Sequence, residues 1–241
     1  MNIIVCKNYE EMSMHAAKMV AAQIKEKPNC VLGLATGSTP EGMYADLIEM
    51  YKKGEISFKD VTSVNLDEYY PINPENDQSY RYFMNHQLFD HVDIDKANTN
   101  VPDGTAADPV AEGRRYEALV TALGGIDLQI LGIGRNGHIG FNEPDSKLVL
   151  DTHVTDLTQN TIEANSRFFA SESDVPRRAL TMGIGSIFKA KKIILMASGV
   201  GKKAAVSALF DGYIDTNFPV TMLNLHPDVT LICTDDAWSN Q

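Results

Sequence analysis

Short apolar runs alternate along this chain with longer stretches in which apolar residues return every three or four positions. Asn2 to Cys6 reads as a first strand. Met12, Ala16, Met19, Val20, Gln23 and Ile24 then follow helical spacing, which predicts an amphipathic helix over Tyr9 to Lys25 with one face on a sheet. Cys30 to Leu34 is a second predicted strand, Pro40 to Lys53 a helix and Val61 to Leu66 a third strand. Helices follow near Ser79 to Phe89 and Pro109 to Leu123, then a strand at Ile126 to Leu131. Lys192 to Ala197 and Val229 to Cys233 read as strands around a helix at Lys202 to Leu209. Strands alternating with helices are how crossover units of a parallel sheet look in sequence. The expected fold is α/β: a single open, mostly parallel sheet with helices on both faces, Rossmann-like, forming one domain over residues 1–241. Thr158 to Arg177 breaks the pattern with scattered Asn, Ser, Asp and Pro, and is a candidate lid (158–177).

Composition narrows the partners. With 44% apolar residues among 241, the chain can bury one sizeable core. A net charge of −11 argues against a nucleic-acid partner, which calls for clustered Lys and Arg; an anionic small molecule would have to be held by local cations. Cys6, Cys30 and Cys233 each border an apolar run and read as small buried hydrophobes, which fits a reducing cytoplasm. No apolar run approaches the length needed to span a bilayer, so no membrane partner is expected. The histidines lack metal-ligand spacing, so no metal is expected either.

In open parallel sheets ligands bind beyond the carboxyl ends of the strands, and three polar loops fall there. The first, Thr36-Gly37-Ser38-Thr39, leads through Pro40 into a helix, with Thr39 suited to the N-cap and Pro40 to the first turn. Free backbone N–H groups and the helix dipole would make an anion site, although no Walker Lys follows. In the second, Asn65-Leu66-Asp67-Glu68-Tyr69-Tyr70, two acids follow a strand. At least one belongs at the site's rim as a base, and alternation alone does not say which. The third runs from Gly132 through Asn136 and His138 to Glu143 and Pro144. It contains a GxGxxG match, but four glycines in nine residues and Pro144 oppose the helix a dinucleotide site requires. What remains is a histidine with a carboxylate five residues on, an acid/base pair. No cofactor motif stands out.

The run GIGRNGHIGFNEP, with LATGSTPEG and VNLDEYY, resembles the glucosamine-6-phosphate deaminase family over essentially the whole chain. The segments Ala164 to Phe169, Val175 to Gly183 and Ser198 to Lys202 support the likeness. The resemblance implies conversion of glucosamine 6-phosphate to fructose 6-phosphate and ammonia, in amino sugar (N-acetylglucosamine) catabolism and without a cofactor. It makes Asp67 the base for enolisation and His138, supported by Glu143, the acid/base of ring opening. It assigns the substrate phosphate to Thr36, Gly37, Ser38 and Thr39, to Arg167, and to Lys202, with Lys203 adjacent. Many members carry Asp where this chain has Asn136, which is counted among the catalytic residues although an amide cannot share negative charge. Longer members extend past the last strand and use that extension for allosteric activation; hyperbolic kinetics are expected here. The alternatives are a 6-phosphogluconolactonase-like hydrolase, which would not need Asp67, and a non-catalytic sugar-phosphate sensor. A homo-oligomer is compatible with the sequence.

Overall fold

The computed structural model describes residues 1–166, 171 and 175–238. Its strands are β1 (Asn2–Cys6), β2 (Val31–Leu34), β3 (Thr62–Asn65), β4 (Asp67–Tyr70), β5 (Thr99–Asn100), β6 (Leu128–Gly132), β7 (His153–Asp156), β8 (Arg178–Thr181), β9 (Lys192–Ala197) and β10 (Val229–Thr234). Its α-helices are α1 (Tyr9–Glu26), α2 (Glu41–Lys52), α3 (Tyr80–Gln87), α4 (Pro109–Ala122), α5 (Gln159–Ser166), α6 (Ile184–Phe188) and α7 (Lys203–Ala208). Seven strands form one sheet in the order β1-β10-β9-β6-β2-β3-β5, every pair parallel.

Alternation along the central strands explains the two layers of helix. Leu32, Leu34, Ile130, Ile194, Met196 and Ile232 bury against Met12, Ala16 and Val20 of α1 and Met43 and Leu47 of α2. Val31, Leu131, Ile193, Leu195 and Leu231 point to the opposite face, into a core with Tyr116 of α4, Ile187 of α6 and Val206 of α7. A strand buried on both faces reads as a continuous apolar run, which is why these strands were visible in the sequence. The helices start where local chemistry says they should: Asn8 accepts the N–H of Glu11 ahead of α1, and Asp108 accepts those of Val110 and Ala111 ahead of α4.

The expectation of a single sheet needs an addition. A second, antiparallel sheet of order β4-β8-β7 stands above the carboxyl ends of β2 and β3, over a small core of Tyr69, Phe141, Leu157, Ile162 and Ala179. Asp67 to Tyr70, read as a loop, is therefore a strand paired with residues more than a hundred positions later, Asp67 opposite Thr181. Of the candidate lid, residues 159–166 are α5, while 167–170 and 172–174 lie outside the described residues. No described helix is long and apolar enough to cross a membrane, and Cys6, Cys30 and Cys233 are buried and unpaired.

Candidate active site

A cavity of about 1200 Å³ opens at the carboxyl ends of β2, β3 and β6. All three polar loops reach it, through Thr36, Ser38 and Thr39, through Asp67, and through Asn136 and His138, and Lys202 completes one wall. Gly37 makes the turn at φ +88° without lining the cavity, and Glu143 stands behind His138. Lys203, the neighbour of Lys202, is not on the wall. Arg167 lies outside the described residues.

The turn before α2 differs from the capping expected. Pro40, not Thr39, is the N-cap, and no side chain caps the helix from that position. Tyr9 of α1 takes over this role: its hydroxyl accepts the N–H of Gly42 at 2.8 Å and donates to the carbonyl of Ser38 at 2.8 Å. The turn is thus pinned from the first helix, leaving the Thr36, Ser38 and Thr39 side chains on the cavity wall.

Strand β4 separates the two acids, since neighbours on a strand point to opposite sides. Asp67 faces the cavity. Glu68 points away and accepts backbone N–H groups from Tyr69, Tyr80 and Arg81, which ties β4 to the start of α3. No described residue donates a hydrogen bond to the Asp67 carboxylate. Burial first, and then the neighbouring charge of Glu68, push its carboxyl up to about 8. Burial likewise pushes Glu68 up, to about 7, against the three N–H groups that favour its charge.

The glycine loop after β6 presents a second, differently furnished carboxylate. Gly134 is required where it stands: a Cβ there would fall 2.5 Å from Cε1 and Nδ1 of His138, so the imidazole lies against bare backbone. Nδ1 of His138 is 3.1 Å from Oε1 of Glu143, an ion-pair distance, approached too obliquely for a well-formed hydrogen bond. Asn136 Nδ2 donates to Oε2 of the same carboxylate at 2.6 Å and Thr161 Oγ1 to Oε1 at 2.7 Å. Burial would push the Glu143 carboxyl up, but His138, then Thr161 and Asn136, outweigh it and bring it down to about 2. The loop is fixed to the small sheet: the Phe141 N–H donates to Thr181 Oγ1, and Asn142 Nδ2 to the carbonyl of Met182. Gly140, at φ +57°, passes over the first acid, because a methyl there would meet Asp67 Oδ2 at 3.6 Å.

Lys202 Nζ donates to the carbonyl of Ile133 at 2.5 Å and lines the cavity beside Arg135. Burial, and then the charge of Arg135, lower the Lys202 ammonium pKa. Neither cation has an ion-pair partner among the described residues. Two adjacent uncompensated cations next to a hydroxyl-bearing turn make an anion subsite within a chain of net charge −11. Arg135 and Thr161 were not singled out from the sequence. A cation inside a glycine loop was a usable signal for the first, whereas nothing local marks the second. Among the described residues no three His, Cys, Asp or Glu side chains gather to hold a metal.

An open parallel sheet with a donor-poor carboxylate, a His–Glu pair and two adjacent cations at its strand ends can perform acid/base chemistry on a small anionic ligand. Residues 7–232 match the model of the glucosamine-6-phosphate isomerases/6-phosphogluconolactonase family, and the chain belongs to that family. It is 57% identical over 239 residues to a glucosamine-6-phosphate deaminase of Thermoanaerobacter pseudethanolicus, covering 99% of this chain and 94% of the relative. It is 58% identical over 237 residues to one of Clostridium perfringens, covering 98% of each. Among solved structures, a monomeric glucosamine-6-phosphate deaminase superposes with a TM-score of 0.96 at 48% identity, over 98% of both chains. A 6-phosphogluconolactonase from Trypanosoma brucei superposes at 0.77 with 18% identity, over 98% of this chain and 97% of its own; it shares the fold.

Proposed function

We propose that this enzyme isomerises and hydrolytically deaminates glucosamine 6-phosphate, giving fructose 6-phosphate and ammonia. The phosphate is held by Arg135, Lys202 and the Thr36–Thr39 turn, with Arg167 as a further anchor. His138 passes a proton between the ring and anomeric oxygens to open the pyranose, and Glu143 stabilises the ring while it carries the charge. Asp67 removes the proton from the amine-bearing C2 of the open aldehyde and returns it to C1. The resulting C2 imine adds water and expels ammonia, leaving the ketose. No electrons are gained or lost overall, so the residues supply proton transfer and orientation.

The observation that supports this reading best is Asp67, buried, facing the cavity and without a donor among the described residues. A lactone hydrolase could use His138 and the cations but would leave this carboxylate without work. The test is incubation with glucosamine 6-phosphate, following ammonia and fructose 6-phosphate. Equal amounts of both are expected, with unphosphorylated glucosamine a poor substrate. Hydrolysis of 6-phosphogluconolactone with no ammonia from the amino sugar would refute the proposal.

A further inference from the structure

Helix α5 touches the acid/base pair at a single described hydroxyl, that of Thr161. Thr158 Oγ1 accepts the N–H of Thr161 at 3.3 Å, as a residue at the helix start does. It donates its own hydrogen to Thr161 Oγ1 at 3.0 Å. Having received that hydrogen, Thr161 directs its single O–H at Glu143 Oε1, 2.7 Å away. Oε1 is also the oxygen nearest His138, while Oε2 is taken by Asn136. Of the two donors to this carboxylate among the described residues, Asn136 belongs to the same loop as Glu143. Thr161 is the described donor from elsewhere in the chain, 18 positions on.

We infer that Thr161 is a positioning residue: its hydroxyl aims Oε1 of Glu143 at His138, so that the seating of α5 on the cavity is a condition for ring opening. This rests on the roles proposed above for His138 and Glu143. Without the hydroxyl, Oε1 keeps, among the described residues, the oblique contact with His138 alone, and the bond from Asn136 to Oε2 is left as the one described restraint on rotation about Cγ–Cδ. Thr161 is 8% exposed on the cavity wall, and the valine methyl takes the place of the hydroxyl without offering a donor.

The test compares Thr161→Val, which keeps the shape and removes the hydroxyl, with Thr161→Ser, which keeps the hydroxyl, and with Glu143→Gln. Thr161→Val should lower kcat by about tenfold, the scale of a misaimed catalytic group, with KM within about twofold. Thr161→Ser should return kcat to within about threefold of the parent. In the Glu143→Gln background, adding Thr161→Val should cost little more, because the two act as a unit. Unchanged kcat in Thr161→Val beside a deficient Glu143→Gln would overturn the role of Thr161 alone. Full activity in Glu143→Gln would overturn the assignment of the pair, and this inference with it. A rise in KM at constant kcat, or a loss that Ser does not restore, would make Thr161 a packing residue of α5.

Discussion

Two carboxylates serve the cavity, Asp67 buried on the β4 wall and Glu143 partly buried behind His138 of the glycine-loop wall, and their surroundings treat them in opposite ways. On the β4 wall, Asp67 has no described donor and a second acid beside it, and its carboxyl is pushed up to about 8. On the glycine-loop side, Glu143 is partly buried behind His138, yet His138, Thr161 and Asn136 bring its carboxyl down to about 2. Burial raises both; what separates them is the number of donors the backbone route can deliver. A strand leaves Asp67 facing the cavity while its neighbour Glu68 turns to the other side, whereas a looping chain folds Asn136 and His138 back on Glu143. The result is one group ready to take up a proton near neutrality and another that stays ionised. Enzymes divide acid and base roles between like residues by such separation.

Removing the poised group should have the largest effect. Asp67→Asn is expected to lower kcat by about 10²- to 10⁴-fold, the usual contribution of a general base. It should also raise stability. A carboxyl at about 8 in the fold and about 4 when unfolded holds a proton that unfolding releases, so it destabilises the protein increasingly as pH rises between those values. The neutral amide avoids that cost, and its gain in Tm should grow from pH 5 to pH 8. An active variant, or one with a gain independent of pH, would mean that Asp67 is not the protonated partner in this comparison.

The ionised wall is tested through its clamp. Asn136→Ala removes the donor to Oε2 and should lower kcat by about tenfold, with a stability cost of about 1–2 kcal/mol at pH 7 for the lost charged hydrogen bond. The sign of the pH dependence is opposite here. A depressed carboxyl stabilises the fold above its unfolded value near 4.3, and that stability is lost as pH falls toward about 2. The gap between parent and variant should therefore close on acidification. A constant gap down to pH 2 would show that Asn136 holds the loop without acting on Glu143.

How far the sequence disclosed these walls follows from how each is built. The parallel sheet was legible because its strands are buried on both faces, and the loops stood out as polar runs between such strands. His138 and Glu143 lie five residues apart in one loop, so their meeting could be anticipated. β4 could not be: Asp-Glu-Tyr-Tyr is polar and short, and only pairing with β8 makes it a strand. The same pairing decides that Asp67, not Glu68, faces the cavity. Tyr9 pinning the turn before α2 and Thr161 reaching Glu143 are likewise contacts between distant segments that no local pattern records. Arg135 was in plain view, but its value depends on Lys202 arriving beside it without a counter-charge.

Arg135 sharpens the comparison by acting on neither carboxylate. Arg135→Gln should raise KM for the phosphorylated substrate by about three- to tenfold, since an exposed cation contributes a modest charge-assisted contact. Inhibition by inorganic phosphate should weaken in proportion, and kcat should hold. A fall in kcat at constant KM would assign Arg135 to the glycine-loop wall and not to the anion subsite.

The smallest effect comes from Glu68, the second cause of the high value at Asp67. Glu68→Gln removes a negative charge from the residue next to the base, so Asp67 should ionise more readily and the acid limb of kcat/KM should move to lower pH. The shift is bounded by the behaviour of Glu68 itself. Its carboxyl titrates at about 7, so below that it is already neutral in the parent and the substitution changes nothing. The two acids titrate as a pair, and the difference belongs to the upper part of the limb, where both would be charged. The glutamine can still accept from the N–H groups of Tyr69 and Tyr80 but presents its NH₂ to that of Arg81, so a stability loss of about 1 kcal/mol should accompany the shift. Profiles of kcat/KM against pH for parent and variant decide it, because the ionisations of the substrate are common to both and cancel in the ratio. A variant-to-parent ratio near one below neutrality, rising through the upper part of the limb and returning to one where Asp67 is fully ionised in both, is expected. A limb that stays in place would leave burial alone to explain Asp67, and one that moves to higher pH would mean that the charge on Glu68 was helping the base through the position of α3.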